Sequence, residues 1–246
     1  MRFQGAIFDV DGVLVDSLHS RTWREALREL MDTEWVGIHD RTSYSPKRFT
    51  QDVYQQVIAG RPRLAGARAA LDYFGVHDAD CRAERCGAGK QEHITKLIKL
   101  GQFTAFPDAL RFVLNVTTIG IRVAAASSSK NADLLLQQVR LDTFAAEHHL
   151  DSPLIRPGLT LLGPLAADVS GGDLPRGKPH PLIFVTAASQ IGAVPGRCFV
   201  AGDAVPGVQA AKADAMAALG VPRLGDEKAL RSAGADLVVR TGVRQR

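Results

Sequence analysis

From about residue 104 onward, short apolar runs alternate with amphipathic segments, and this rhythm restricts the fold more than any other feature of the chain. Runs at residues 121–126, 197–201, 215–219 and 236–239 are too short for helices and read as buried strands. Between and around them, residues 109–118, 131–139, 181–191, 208–213 and 227–233 read as helices. One more apolar run, residues 3–9, opens the chain and ends on an acid. Strand–helix alternation implies a parallel sheet covered on both faces, because a parallel pair needs a crossover and the crossover is usually a helix. The expected fold is therefore an α/β, doubly wound core.

Residues 17–103 break the rhythm. Trp23, Ala26, Leu27 and Leu30 fall near helical spacing and predict a helix over 19–31; 67–73 and 93–100 predict two more, separated by Gly60, Pro62 and Gly75. A helical insertion over 17–103 would thus divide a core made of 1–16 and 104–246. Residues 151–177 are rich in Gly and Pro and read as a long irregular connection with one short strand at 166–170; connections of such length are often functional.

In an open α/β sheet, ligands bind outside the carboxyl ends of the strands. The first strand ends at Asp9-Val10-Asp11-Gly12, the strand at 121–126 ends at Ser127-Ser128-Ser129-Lys130-Asn131, and the strand at 197–201 ends at Gly202-Asp203. Gly177-Lys178-Pro179 lies between the last two. Alone, each is an ordinary turn, helix-cap or surface residue; their order and shared place at strand ends give them weight. Asp9 can attack phosphorus, because a carboxylate needs no base to act as a nucleophile. Asp11, two residues on, can point the same way in extended chain and protonate a leaving oxygen. Gly12 permits the sharp turn that aims both. Ser127 and nearby N–H groups can hold phosphate oxygens, and Lys178 offsets the accumulated negative charge. Mg²⁺ takes hard oxygen ligands, one or two carboxylates with phosphate and water; Asp9, the Asp11 carbonyl and Asp203 would supply them.

The motif order resembles that of the haloacid dehalogenase superfamily. Asp9-Val10-Asp11-Gly12-Val13-Leu14-Val15-Asp16-Ser17 is similar to its first motif, and Ser127, Lys178 and Asp203 match the second, third and fourth in order. The resemblance spans nearly the whole chain. It implies a Rossmann-like core with a mobile cap inserted after the first motif, an aspartyl-phosphate intermediate and Mg²⁺. A finer resemblance is to the β-phosphoglucomutase-like branch. His19-Ser20-Arg21-Thr22-Trp23 looks like its hinge histidine segment, and Gly60-Arg61-Pro62-Arg63 like its cap loop, with Arg63 where a second phosphate binds. Lys90 sits where a cap lysine reaches the sugar. Ser128, Ser129, Lys130 and Asn131 match the substrate-binding run after Ser127. The function implied is Mg²⁺-dependent phosphoryl transfer on a phosphorylated sugar or other small phosphate ester, by a mutase or a sugar-phosphate phosphatase. There are departures. That branch usually carries Glu-Asp where this chain has Gly202-Asp203, the segment before His19 is one residue shorter, and 151–177 is longer.

Other classes are less well supported. A dehalogenase needs no metal, and Asp11 and Asp203 argue against it. A phosphate-ligand sensor on an inactive scaffold rests only on the missing acid at 202. The net charge of +4 comes from scattered Lys and Arg, without the clustered stripe or interleaved aromatics of a nucleic-acid binder. No apolar run reaches the ~18–20 residues of a membrane span, and residues 1–12 lack a secretory leader's pattern. Cys81, Cys86 and Cys198 match no zinc spacing and read as free thiols. A cytoplasmic protein is expected, its oligomeric state open, with a monomer the simplest form.

Overall fold

A computed structural model describes residues 2–16, 18–59, 61–172, 174–223 and 225–239. Ser17 of the first motif, Gly60 of the loop before Arg63, and residue 173 of the long connection lie outside them, as do residues 240–246. The chain forms two compact units, one of Met1–Asp16 with Phe103–Arg246 and the other of Ser17–Gln102.

In chain order the elements are β1 (Gly5–Phe8), α1 (His19–Asp32), α2 (Val36–His39), α3 (Gln51–Val53, continued by a π-helical turn over Tyr54–Ile58), α4 (Arg63–Tyr73) and α5 (Ala79–Lys99). Then come α6 (Pro107–Thr118), β2 (Arg122–Ala125), α7 (Ala132–Gln138), α8 (Leu141–Glu147), β3 (Ala167–Asp168), α9 (Leu182–Gln190), β4 (Cys198–Gly202), α10 (Val205–Lys212), β5 (Ala217–Gly220), α11 (Glu227–Ser232) and β6 (Leu237–Val238).

The core is a six-stranded sheet in the order β3-β2-β1-β4-β5-β6, and every pairing is parallel. This is the Rossmann-like doubly wound order. The chain runs outward one way through β2 and β3 and the other way through β4 to β6, so the switch point lies between β1 and β4. Phe8 is in register with Ala125 on one side and Ala201 on the other, which brings the carboxyl ends of the three central strands to one level. Both faces of these strands are covered. Ile7, Ala124, Val200 and Ala218 pack with Ile183, Phe184 and Ala187 of α9, Val208 of α10 and Leu230 of α11. On the other face Phe8 and Phe199 meet Phe112 of α6 edge-on or tilted, at 5.7 and 5.8 Å between centroids. On the first face Gly5 permits close packing beside α9: a Cβ there would come within 2.8 Å of Cys198 Sγ and 2.7 Å of Ile191 Cδ1.

The helical unit has its own core, in which Trp23, Leu27, Leu30 and Met31 of α1 join Ala67, Ala70 and Leu71 of α4, Phe74, and Ala83 and Cys86 of α5. Here the periodicity reading falls short. The helix expected over 93–100 starts at Ala79. Gly87 and Gly89 dilute the apolar period, yet they serve close packing: a Cβ on Gly87 would lie 3.3 Å from Arg63 Cγ, and one on Gly89 would lie 3.6 Å from Ala26 Cβ. Helix α8 was also not anticipated; Leu141, Phe144 and Ala145 are buried along one side of it, too short a pattern to register as a period. The three cysteines are free thiols. Among the described residues no helix is long and apolar enough to cross a membrane.

Candidate active site

Asp9 is the first residue beyond β1. Its N–H still donates to Ala201 O of β4 at 3.0 Å, so the ladder holds its backbone rigidly at the switch point. Its carboxylate is oriented from two sides: Oδ1 accepts from the Val10 N–H at 2.9 Å, and Lys178 Nζ donates to Oδ2 at 2.6 Å. The ammonium also donates to Ala126 O at 3.3 Å and stands 4.9 Å from the centre of the Phe184 ring. With side chains only 11% and 14% exposed, Lys178 and Asp9 interact where water screens them weakly.

Ser127 follows β2 and is buried. Its hydroxyl donates to Asp11 Oδ2 at 3.3 Å and accepts from the Ser129 N–H at 3.1 Å. The backbone of Ser127 is held in turn by the segment after β3: its N–H donates to Ser170 Oγ at 3.2 Å, and its carbonyl accepts from the Gly171 N–H at 3.0 Å. The Asn131 N–H donates to Ser129 Oγ at 3.3 Å. Residues 127–131 thus form a tight turn into α7, with Ser128 and Lys130 exposed and Asn131 buried.

Asp203 follows β4. Burial, and after it the negative charge of Asp9, push its carboxyl up to about 8, while Lys178 pulls the other way. Gly12 faces it, at φ +76; a Cβ there would sit 1.9 Å from Asp203 Oδ2. The carboxylates of Asp9 and Asp203 therefore feel each other and a single lysine, which is paired with Asp9, and one cation leaves their combined charge under-compensated. A divalent cation would correct that. Among the described residues no three His, Cys, Asp or Glu side chains form a metal cage. Asp9, Asp203 and a backbone carbonyl would leave the remaining ligands to water and phosphate oxygens, the donor set of Mg²⁺ rather than of zinc. The residues present fit Mg²⁺ on this count.

The structure thus gathers Asp9, Asp11, Ser127, Ser128, Ser129, Lys130, Asn131, Lys178 and Asp203 at the strand ends of the core. The other three candidates belong to the helical unit. His19 opens α1 and Arg63 opens α4. Arg63 Nη1 donates to Gln91 Oε1 at 3.2 Å, next to Lys90, which is 6% exposed on α5 with its Nζ 5.9 Å from the Trp23 ring centre.

Sequence reasoning missed two residues. Ser170 supports Ser127 from the end of the short strand expected over 166–170, and that place at a strand end was its one signal. Arg223, just past β5, donates from Nε to Gly12 O at 3.1 Å and from Nη2 to Val13 O at 3.0 Å. Its position after a strand beside β4 was the one signal available.

A family profile described as haloacid dehalogenase-like hydrolase matches residues 3–213. Among similar proteins, β-phosphoglucomutase of Mycobacterium bovis is 29% identical over 254 residues, covering 97% of this chain and 89% of that protein. The phosphorylated carbohydrates phosphatase of Thermotoga maritima is 27% identical over 240 residues, covering 96% and 94%. The crystal structure of β-phosphoglucomutase from Clostridium difficile superposes with a TM-score of 0.67 at 22% identity, covering 97% and 91%, and shares the fold. With a profile match over residues 3–213, most of its length, the chain belongs to the haloacid dehalogenase-like hydrolases.

Proposed function

We propose that this protein transfers the phosphoryl group of a sugar phosphate through an aspartyl-phosphate on Asp9. The observation that carries the proposal is the Lys178–Asp9 contact at the β1/β4 switch point: a carboxylate held from two sides in a poorly screened site is oriented for attack. In the first half-reaction an Asp9 oxygen bonds to phosphorus and the ester P–O bond breaks. The carboxyl proton of Asp11 goes to the leaving oxygen. In the second half, Asp11 takes the proton of an incoming hydroxyl, whose oxygen bonds to phosphorus as the bond to Asp9 breaks. Ser127 and the N–H groups that follow it hold phosphate oxygens, and Lys178 neutralises charge on them and on Asp9. Asp9, Asp203 and the Asp11 carbonyl would hold Mg²⁺, which supplies further neutralisation of the phosphoryl oxygens.

The residues of the helical unit, acting as a cap, choose the acceptor. Arg63 as a second phosphate site, with His19 and Lys90 contacting the sugar, lets a bis-phosphate bind in either direction and makes the enzyme a β-phosphoglucomutase-like mutase. The similarity to mycobacterial β-phosphoglucomutase along nearly the full chain supports this reading. The comparable similarity to a carbohydrate phosphatase supports a second one, in which water is the acceptor. A screen of sugar phosphates, including β-glucose 1-phosphate with and without a bis-phosphate primer, tests both. Primer-dependent isomerisation identifies the mutase and primer-independent phosphate release the phosphatase. Turnover of no phosphate ester with Mg²⁺ present would refute phosphoryl transfer itself.

A further inference from the structure

The structure assigns Arg223 a role that no motif carries: it is a positioning residue for the turn that bears Asp11. Its side chain is 5% exposed, and its guanidinium is engaged on every edge. Nε and Nη2 donate to the carbonyls of Gly12 and Val13. Nη1 pairs with Asp108 Oδ2 at 3.1 Å, and the guanidinium carbon lies 3.6 Å from the centre of the Phe106 ring. A planar fork can serve two carbonyls, a carboxylate and a ring face at once; an ammonium cannot.

The turn it holds has little freedom. The Gly12 N–H donates to Val15 O at 2.8 Å, and Gly12 lies hard against Asp203. The groups on the other side of the guanidinium, Phe106 and Asp108, lie on the returning chain, where the Phe106 N–H donates to Leu14 O at 2.9 Å and the Asp16 N–H to Thr104 O at 2.7 Å. Arg223 therefore ties the outgoing and returning segments together directly behind Asp11. Without the fork, the Gly12 and Val13 carbonyls lose their donors. The Asp11 carboxyl then drifts from the line on which it meets Ser127 and a leaving oxygen.

This inference rests on the acid role proposed for Asp11, and the test separates the two. Because kcat/KM reports the steps up to phosphorylation of the enzyme, it is measured with Mg²⁺ for wild type, Arg223→Lys, Arg223→Met and Asp11→Asn on aryl phosphates from p-nitrophenyl to phenyl phosphate. Arg223→Lys keeps a cation beside Asp108 and guards against misfolding of Arg223→Met. A mispositioned acid hurts basic leaving groups most. The expected result for Arg223→Lys is a loss of about 30-fold on phenyl phosphate and under about threefold on p-nitrophenyl phosphate, following the leaving-group trend of Asp11→Asn. Adding Asp11→Asn to Arg223→Lys should cause little extra loss. Equal loss on both esters, as a general structural defect would give, or no loss on either, would overturn the role of Arg223. An Asp11→Asn variant without leaving-group dependence would overturn the acid role, and the positioning role with it.

Discussion

Replacing Gly12 by alanine puts a methyl group where the Asp203 carboxylate already is. At φ +76 an L-residue costs about 1–2 kcal/mol relative to glycine. The added Cβ would lie 1.9 Å from Asp203 Oδ2 and 2.5 Å from its Cγ, so the carboxylate must move by more than an ångström. Overpacking of this kind costs about 1–3 kcal/mol more. The two effects separate in a double-mutant cycle with Asp203→Gly. In that background the obstacle is gone and Gly12→Ala should cost only the backbone share, about 1–2 kcal/mol, so the double variant is more stable than the sum of the singles by about 1–3 kcal/mol. Urea unfolding in EDTA, with m-values checked for constancy, measures all four corners. Additivity within about 0.5 kcal/mol would refute the argument, because Gly12 and Asp203 would then not be in contact.

Three further perturbations test other parts of the account. Lys178→Met removes the cation beside Asp9 and should lower kcat by about 10²–10³ in a steady-state assay, the loss typical of one preorganised electrostatic group; a loss under threefold would contradict its role. Gly202→Glu restores the acid missing from the fourth motif, and a Cβ there meets nothing closer than Gly207 C at 4.0 Å. Isothermal titration should show Mg²⁺ bound about tenfold more tightly; weaker binding would argue against a metal at this strand end. Arg140 and the Gly158 N–H hold the Asp142 carboxyl well below its usual range. Its folded pKa lies below the unfolded one, so the stability it adds is present above the ordinary aspartate pKa and is lost as pH falls through the folded value. Asp142→Asn should flatten the acid limb of a Tm-against-pH curve; an unchanged limb would contradict this.

The chemistry-bearing end of the sheet was largely legible because each strand stops on a polar residue with a distinctive neighbour. Asp9-Val10-Asp11-Gly12, the serine run at 127–129 and Gly202-Asp203 combine with the strand–helix rhythm to place them on one edge, and the β1/β4 switch point brings them there. The strand boundaries were legible to within a residue or two for the same reason: Phe8 and Ala126 are the last apolar residues before Asp9 and Ser127, and β1 and β2 end at Phe8 and Ala125. What stayed hidden depends on contacts between segments distant in sequence. Gly87 and Gly89 look like helix breakers until Arg63 and Ala26 are seen beside them. Arg223 is one arginine among many in the sequence, and only the fold sets it against Gly12, 211 residues away. Ser170 reaches Ser127 across 43 residues of mostly irregular chain.

The most direct test of the account is to trap the phosphoryl group on the protein. The chain, turning over p-nitrophenyl phosphate with Mg²⁺, is quenched in acid, reduced with borohydride and digested with trypsin, and the peptide spanning residues 3–21 is sequenced by mass spectrometry. Asp9 alone is expected to be converted to homoserine, with Asp11 and Asp16 in the same peptide unchanged and an Asp9→Asn variant showing neither conversion nor turnover. Turnover by Asp9→Asn, or conversion at Asp11 in place of Asp9, would contradict this.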